Sequence, residues 1–182
     1  MLIQELTRQA CLDLLARTRR GSLACTQGAQ PYVVPVYFAY DNNSLYSFAT
    51  VGQKIEWMRA NPLVCVEADE VVGPQQWMSV IIFGRYEELP DTPEWQCARA
   101  LAYELLQQTA MWWEPAYAKT IHRGTRRPLV PVFYRIHAVQ ITGHRATPEP
   151  MASPDTRRSM TDSGEHGCLR TLLRQIRGRL GQ

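Results

Sequence analysis

The stretch Pro31–Lys54 reads PYVVPVYFAYDNNSLYSFATVGQK. Its first half is rich in strand-forming residues, and Asp41-Asn42-Asn43-Ser44 has the composition of a tight turn. The segment LYSFAT that follows is again strand-like, so the pattern predicts a β-hairpin. A short polar loop, Thr50-Val51-Gly52-Gln53-Lys54, comes next. A glycine and a lysine between a strand and a helix raise the question of what this loop binds.

The chain on either side of this hairpin predicts a mainly β protein. Three helices are expected, at Leu6–Arg19 with Thr7 as N-cap, at Ile55–Ala60, and from Thr92 to about Gln108. Six strands are expected, at Ser22–Thr26, Tyr32–Tyr40, Leu45–Thr50, Leu63–Asp69, Trp77–Leu89 and Val130–Gly143. Short connections favour antiparallel pairing over βαβ crossovers. A closed or partly closed barrel removes the open strand edges. Gly84 predicts a bulge or a close backbone approach in the longest strand.

The composition changes near Thr147-Pro148. We therefore predict one domain over residues 1–147, and over 148–182 a linker and a basic, marginally helical tail. Residues 151–182 carry six arginines against three acids, so the remainder of the +3 chain has no net charge. The body thus lacks the charge pattern of a nucleic-acid-binding protein. The tail has an apolar helical face, formed by Leu169, Leu172, Leu173, Ile176 and Leu180. Docking on the body and contact with a membrane surface or a partner both stay open for it.

The overall composition is that of a soluble globular protein. The 182 residues are 45% hydrophobic and 20% charged, and no apolar run approaches the roughly 18 residues that span a bilayer. The N-terminus lacks the basic leader of a signal peptide. The five cysteines are scattered and form no CxxC pair or zinc-ligand spacing. We expect a cytoplasmic protein without a metal site.

The loop Thr50–Lys54 has the ingredients of a phosphate site. A glycine lets the backbone approach an anion, Thr50 offers a hydroxyl, and Lys54 offers a positive charge. The helix that follows presents free N–H groups at its start. A lysine after a glycine is also a common solvated surface feature, so the loop by itself does not decide between the two interpretations.

The order of these segments resembles the pyridoxamine 5'-phosphate oxidase-like family of FMN-binding split barrels, and within it the nitroimidazole-resistance (Nim-type) branch. The resembling stretches are RGSLACT, PYVVPVYFAYD, LYSFATVGQKIEWMRANPLVCVEADE, WMSVIIFGRYEEL, the WWEP patch and FYRIHAVQITGH. They cover about residues 1–145 in the order typical of the family. The resemblance implies a six-stranded antiparallel split β-barrel that binds FMN.

The resemblance also implies a set of cofactor-binding residues. The backbone and side chains of Val33, Val34, Pro35 and Val36 are expected along the flavin ring. Phe48, Ala49 and Thr50 are expected beside the ribityl chain and the ring edge, and Gln53 and Lys54 at the phosphate. Ser79 is expected near the flavin. Two subunits of the family pack barrel to barrel with each FMN between them, which implies a homodimer in which MWWEPAY covers the cleft or the dimer seam.

Two departures from the family pattern bear on function. Ile55 follows the single Lys54, where phosphate-binding members often carry further basic residues, and Arg59 could substitute. The chain also lacks the C-terminal tryptophan and the Arg-x-His-type signature of true pyridoxamine-phosphate oxidases. We therefore do not expect vitamin B6 oxidation.

Three functions follow as hypotheses. The first is a homodimeric FMN-dependent oxidoreductase, in which a nicotinamide nucleotide or a partner supplies electrons to a nitro compound or quinone, with no side chain identified as catalytic. The second is a flavin or haem carrier or sensor without turnover, with His122 or His137 as axial ligand. The third is a dimerisation module with an empty cleft. His137 and His144 are seven residues apart, which predicts opposite faces of one strand and no shared metal.

Overall fold

The computed structural model describes residues 1–109, 121–122, 125–126 and 130–149, and it is mainly β, as the sequence predicts. The strands are β1 Leu2–Glu5, β2 Arg20–Gln27, β3 Gln30–Tyr37, β4 Ala39–Asp41, β5 Ser44–Thr50, β6 Leu63–Gly73, β7 Gln76–Leu89, β8 Ile121–His122, β9 Thr125–Arg126 and β10 Pro131–Thr147. The helices are α1 Arg8–Arg17, α2 Gln53–Ala60 and α3 Gln96–Leu106, the last preceded by a 3₁₀ turn at Pro93–Trp95. The MWWEPAY patch, the tail and the side chain of His122 lie outside the described residues.

One antiparallel sheet contains all the long strands. Its order is β3-β2-β6-β7-β10-β5-β4, and β1 also pairs with β10. The two short strands β8 and β9 pair with each other. Five of the six predicted strands are present as single strands, the sixth is divided into β3 and β4, and β1, β8 and β9 are additional to the prediction. β10 pairs with β5 over its first half and with β1 near its end, and it pairs with β7 along most of its length. This strand therefore connects distant parts of the sheet.

The predicted hairpin is shorter than the sequence indicates. Asn42 and Asn43 have φ of 41° and 60°, which suits the two-residue turn that joins β4 to β5. Only Ala39–Asp41 pairs back on β5, whereas β3 pairs with β2 over its full length. The prediction of one strand over Tyr32–Tyr40 is wrong because Phe38 interrupts it. The side chain of Phe38 is buried, and its N–H donates to the Arg19 carbonyl at 3.0 Å.

The core lies on the inner face of the sheet and is closed by α1 and α2. α1 begins after Thr7, whose hydroxyl accepts from the Ala10 N–H as expected of an N-cap, and it buries Cys11, Leu14 and Leu15. α2 buries Ile55 and Met58. The alternating buried positions of β6 and β7 complete the interior. Among the described residues, no helix combines the length and the apolar character that crossing a membrane requires.

Gly84 marks a close approach of two strands, as predicted. A Cβ at this position would lie 2.5 Å from Ile136 Cγ2 and 2.7 Å from the His137 carbonyl oxygen. Just beyond, a β-bulge between Ala138 and Gln140 inserts one extra residue into β10. The bulge shifts the alternation of β10 by one position.

The bulge corrects one prediction about the histidines. His137 pairs with Arg85 and His144 with Ser79, two β7 positions separated by an even number of residues. Both histidines therefore lie on the same face, and the predicted opposite faces are wrong. They are still about 20 Å apart along the strand. No group of three or more potential metal ligands occurs within the described part of the chain.

Candidate functional site

The loop after β5 is fixed at both ends by backbone hydrogen bonds. Thr50 pairs with Pro131, and the Val51 N–H donates to the Val130 carbonyl at 2.9 Å. Gly52 is the N-cap of α2, and its carbonyl accepts from the Glu56 N–H at 3.0 Å. No side chain from the described part of the chain caps this helix start. Its first-turn N–H groups and its positive dipole end are thus presented beside Lys54.

The fold does not require glycine at position 52. The φ of Gly52 is −175°, an extended conformation that any residue adopts. The nearest described atom to an added Cβ would be the Thr50 carbonyl oxygen, at 3.9 Å. A side chain would therefore project into open space beside the helix start. This open space leaves room for a ligand to approach the backbone.

Lys54 is half-buried and has no hydrogen-bond or ion-pair partner among the described residues. Partial burial lowers the pKa of its amine, and the electrostatic effect of the Cys25 thiol acts in the opposite direction. Burying part of a cation without an acid costs free energy, which a bound anion would offset. Lys54 is thus suited to hold an anionic group.

Arg59, the candidate for a second phosphate-binding residue, is already paired with a carboxylate. Its Nε and terminal nitrogen donate to the two carboxylate oxygens of Glu88 at 2.8 and 2.7 Å. The Tyr86 hydroxyl donates to the same carboxylate at 3.1 Å. Hydrogen bonding from Arg59 is the main reason that the pKa of Glu88 lies below its ordinary value. The guanidinium is engaged in a bidentate pair, a geometry that is difficult to displace.

The four predicted ring-contact residues on β3 divide between two faces. Val33 and Pro35 are exposed on the outer face. Val36 is buried in the core, and Val34 is half-buried against it. A ligand on the outer face could therefore meet the side chains of Val33 and Pro35, but only the backbone of the other two.

Three further predicted residues lie at the end of β5. Phe48 is buried against Phe133, with ring centroids 4.8 Å apart, and belongs to a small cluster with Leu106. Ala49 packs into the main core, and Thr50 is half-buried beside the loop. Gln53 is exposed on α2. Thr50, Gln53 and Lys54 are therefore the predicted residues that the structure brings together.

Ser79 lies elsewhere in the same chain. It pairs with Asp69 on β6 and with His144 on β10. Thr50, at the start of the loop, pairs with Pro131 at the start of β10. The β10 partner of Ser79, His144, lies thirteen residues further along that strand. A single chain does not place Ser79 beside Lys54.

Sequence reasoning missed a polar network around His137. Its Nδ1 lies 3.1 Å from the Ser44 hydroxyl oxygen, and its Nε2 lies 3.0 Å from Glu87 Oε2. Arg135 donates to the same carboxylate at 2.6 Å and lies over the Trp95 ring. Both ring nitrogens of His137 thus have partners, and an axial bond to haem would have to displace one of them. The 50-residue separation between Glu87 and His137 left no local signal in the sequence.

An apolar groove on the outer sheet face was also missed. Its volume is about 400 Å³, and Ala24, Leu63, Cys65, Phe83 and Val139 are among the residues that line it. Phe83 is 48% exposed, Leu63 62%, and Val139, at the bulge, 79%. An exposed apolar surface of this kind is typical of a contact with another molecule.

The comparisons with known proteins agree with this fold. Residues 7–145 match the pyridoxamine 5'-phosphate oxidase family. An uncharacterized protein from Rhizobium meliloti (strain 1021) is 36% identical over 146 residues, which cover 80% of this chain and 97% of that protein. The chain therefore belongs to the pyridoxamine 5'-phosphate oxidase-like family, as its sequence motifs indicate.

Two solved structures are informative. A FAD-binding protein from Mesorhizobium loti is 41% identical, with a TM-score of 0.68 over 81% of this chain and 100% of that one. A candidate 5-nitroimidazole antibiotic resistance protein from Bacteroides thetaiotaomicron VPI-5482 is 19% identical, with a TM-score of 0.56 over 80% of this chain and 89% of that one. The second similarity shows a shared fold.

The pairing of Arg59 with Glu88 predicts a pH dependence of stability. The pKa of Glu88 is lowered in the folded state, so the pair stabilises the protein above the ordinary carboxyl pKa of about 4.3. This stability is lost as the pH falls through the lowered value. Glu88→Gln cannot titrate, so its free energy of unfolding should fall less than that of the wild type between neutral pH and about pH 3.

Urea unfolding at a series of pH values measures this difference. The control Glu56→Gln removes an exposed carboxylate of α2 that has no described hydrogen-bond or ion-pair partner, and it should follow the wild-type curve. Equal pH slopes for Glu88→Gln and the wild type would show that Arg59 does not hold Glu88 in solution.

Proposed function

We propose that this protein is a homodimeric, FMN-dependent oxidoreductase. The observation that carries the proposal is the half-buried Lys54, which has no acid partner among the described residues and lies beside a helix start and a glycine that no described side chain covers. This combination suits a phosphate monoester, which a helix N-terminus and a lysine bind together. The family and the FAD-binding relative support a flavin as the molecule that carries the phosphate.

The residues present fit a flavin phosphate. Lys54 and the N–H groups at the start of α2 would hold its oxygens, with Gln53 and Thr50 as further hydrogen-bond partners. Gly52 leaves the backbone open to the ligand. The isoalloxazine ring supplies electron or hydride transfer when it is bound, and the protein supplies position and electrostatics. No side chain is assigned as an acid or base.

We propose that the flavin ring lies along the outer face of β3. Lys54 acts electrostatically on the Cys25 thiol, and Cys25 pairs with Tyr32 on β3. The ring of Trp57, from α2, lies 5.3 Å from the ring of Tyr32. The phosphate end of the ligand therefore belongs near Tyr32. From there, the exposed side chains of Val33 and Pro35 would contact the flavin ring.

A second copy of the chain completes the proposed site. Within one chain Ser79 is far from Lys54, so the two can contact one flavin only if they come from two subunits. The apolar groove with Leu63, Phe83 and Val139 offers the surface on which two barrels can pack. A dimer across this face would bury side chains that are exposed in one chain.

The proposed reaction moves electrons from a small donor to a small acceptor. We propose a nicotinamide nucleotide as donor and a nitro compound or quinone as acceptor. Oxidation of pyridoxamine phosphate is not proposed, because the chain lacks the signature for that substrate. The described cysteines are free thiols, as expected in a reducing cytoplasm.

Lys54→Ala is expected to weaken FMN binding by about 1–3 kcal/mol, the usual scale for one charged hydrogen-bond partner. Fluorescence titration with FMN measures the affinity. FAD is titrated in parallel, because its flavin phosphate is joined to AMP through a diphosphate bridge and is no longer a monoester. The control Arg59→Ala removes a neighbouring cation that is already paired with Glu88, and it should lower stability without changing flavin affinity.

Equal affinities for wild type and Lys54→Ala would show that the phosphate site lies elsewhere. If Arg59→Ala binds FMN more weakly than Lys54→Ala does, Arg59 is the main phosphate-binding residue. Haem is added to a separate sample, and a haem spectrum without flavin retention would favour the carrier or sensor function. Flavin retention without bleaching by NADH or NADPH would favour a carrier over an enzyme.

Val139→Asp is expected to convert the dimer to a monomer, because it places a charge on the apolar face at its most exposed position. Light scattering during size-exclusion chromatography measures the molar mass. Val72→Asp changes another exposed valine that does not line the groove, and it should stay dimeric. A wild-type monomer, or a dimeric Val139→Asp, would contradict the proposed interface.

A further inference from the structure

A second cavity lies at the other end of β3 from the proposed phosphate site. It has a volume of about 480 Å³ and is lined by Thr18, Arg19, Arg20, Ser22, Pro35 and Asp69. Arg20 pairs with Tyr37 and Ser22 with Pro35, which places the cavity at the Tyr37 end of β3. From Tyr32 to Pro35 the strand advances about 10 Å. A flavin with its phosphate near Tyr32 and its ring toward Pro35 would therefore point its ring at this cavity.

The cavity has cationic groups that the fold does not use fully. Arg20 is exposed and has no hydrogen-bond or ion-pair partner among the described residues. Arg19 donates one hydrogen bond, at 2.7 Å, to the Ala16 carbonyl, which leaves its other N–H groups available. Thr18 and Ser22, two residues with hydroxyl groups, also line the cavity. Arginine forks and hydroxyls are the groups that proteins use to bind phosphate.

The carboxylates in and beside this cavity indicate what kind of ligand it can bind. Asp69 is exposed on one wall, and Glu67 lies two residues before it on the same face of β6. The pKa of Glu67 is raised by partial burial and by the Asp69 charge. Two carboxylates disfavour an inorganic phosphate ion, whereas a carboxylate accepts hydrogen bonds from ribose hydroxyls. A nucleoside phosphate suits both, because its phosphate can bind the arginines and its ribose hydroxyls can donate to a carboxylate.

We propose that this cavity binds a nicotinamide nucleotide, with Arg20 and Arg19 on its phosphates and Asp69 on a ribose. The proposal rests on the proposed flavin function, because it puts the electron donor beside the ring. The donor gives up a hydride, which is two electrons and one proton, and leaves as the oxidised nucleotide. A flavin held at the proposed site would accept the hydride, and one further proton would come from solvent.

The test compares nucleotide binding by FMN-loaded wild type and Arg20→Ala. Calorimetric titration with NADP⁺ and NAD⁺ measures affinity without turnover, and anaerobic bleaching of the flavin by NADPH and NADH measures the apparent KM. Arg20→Ala should weaken binding and raise KM by about tenfold or more, with a similar limiting bleaching rate. Arg8→Ala, an exposed arginine of α1 outside the cavity, should match the wild type.

A second variant tests the carboxylate. Asp69→Asn should weaken binding of the nucleotides, although it removes a negative charge. If Asp69 only repels phosphates, Asp69→Asn would bind more tightly, and the assignment of the ribose would be wrong. Unchanged binding by Arg20→Ala, or no nucleotide binding by a flavin-loaded wild type, would overturn the proposal. A wild type that retains no flavin would instead overturn the proposed function.

Discussion

The backbone ladder along β10 is the constraint on which the remaining structure depends. This one strand pairs with β7 and β5, and its end pairs with β1. Its start holds the loop Thr50–Lys54, through the pairing of Pro131 with Thr50 and the hydrogen bond between Val51 and Val130. Its bulge projects Val139 from the sheet face. The position of the loop and the shape of the exposed apolar face therefore both follow from one strand.

The two basic residues of α2, Lys54 and Arg59, have different surroundings and therefore different proposed roles. Arg59 is engaged by Glu88 in a bidentate pair, and Tyr86 adds a third hydrogen bond to that carboxylate. Lys54, one and a half turns earlier on α2, is half-buried with no described acid beside it. The first arrangement stabilises the protein, while the second leaves a charge that an anion can satisfy. Counting basic residues near the loop would not separate these roles.

The sequence predicts local structure well where the signal is local. The Asn42-Asn43 turn, the N-cap Thr7 and the close approach at Gly84 are all confirmed. β1 was missed because its four residues are exposed and show no alternation of burial. The break at Phe38 depends on a hydrogen bond to Arg19, and the bulge at Val139 carries no glycine or proline signal. Both features are set by tertiary pairing.

The candidate site was predictable to a similar extent. The loop Thr50–Lys54 could be proposed as a candidate from residue types, since a glycine, a hydroxyl and a cation together suit an anion, although the same types also fit a solvated surface loop. The ion pair between Arg59 and Glu88 could not be predicted from the sequence, because the two residues are 29 positions apart and come together only after the chain folds. The division of Val33–Val36 between two faces follows from strand alternation. A cavity built from the end of α1, β2 and β6 requires the tertiary structure.

The most direct measurement is the visible spectrum of the purified wild-type protein after incubation with FMN and removal of unbound ligand by desalting. We expect the two-band spectrum of an oxidised flavin, at about one FMN per chain. A colourless protein that retains no flavin would contradict the central claim, although the fold and the ion pair between Arg59 and Glu88 would remain.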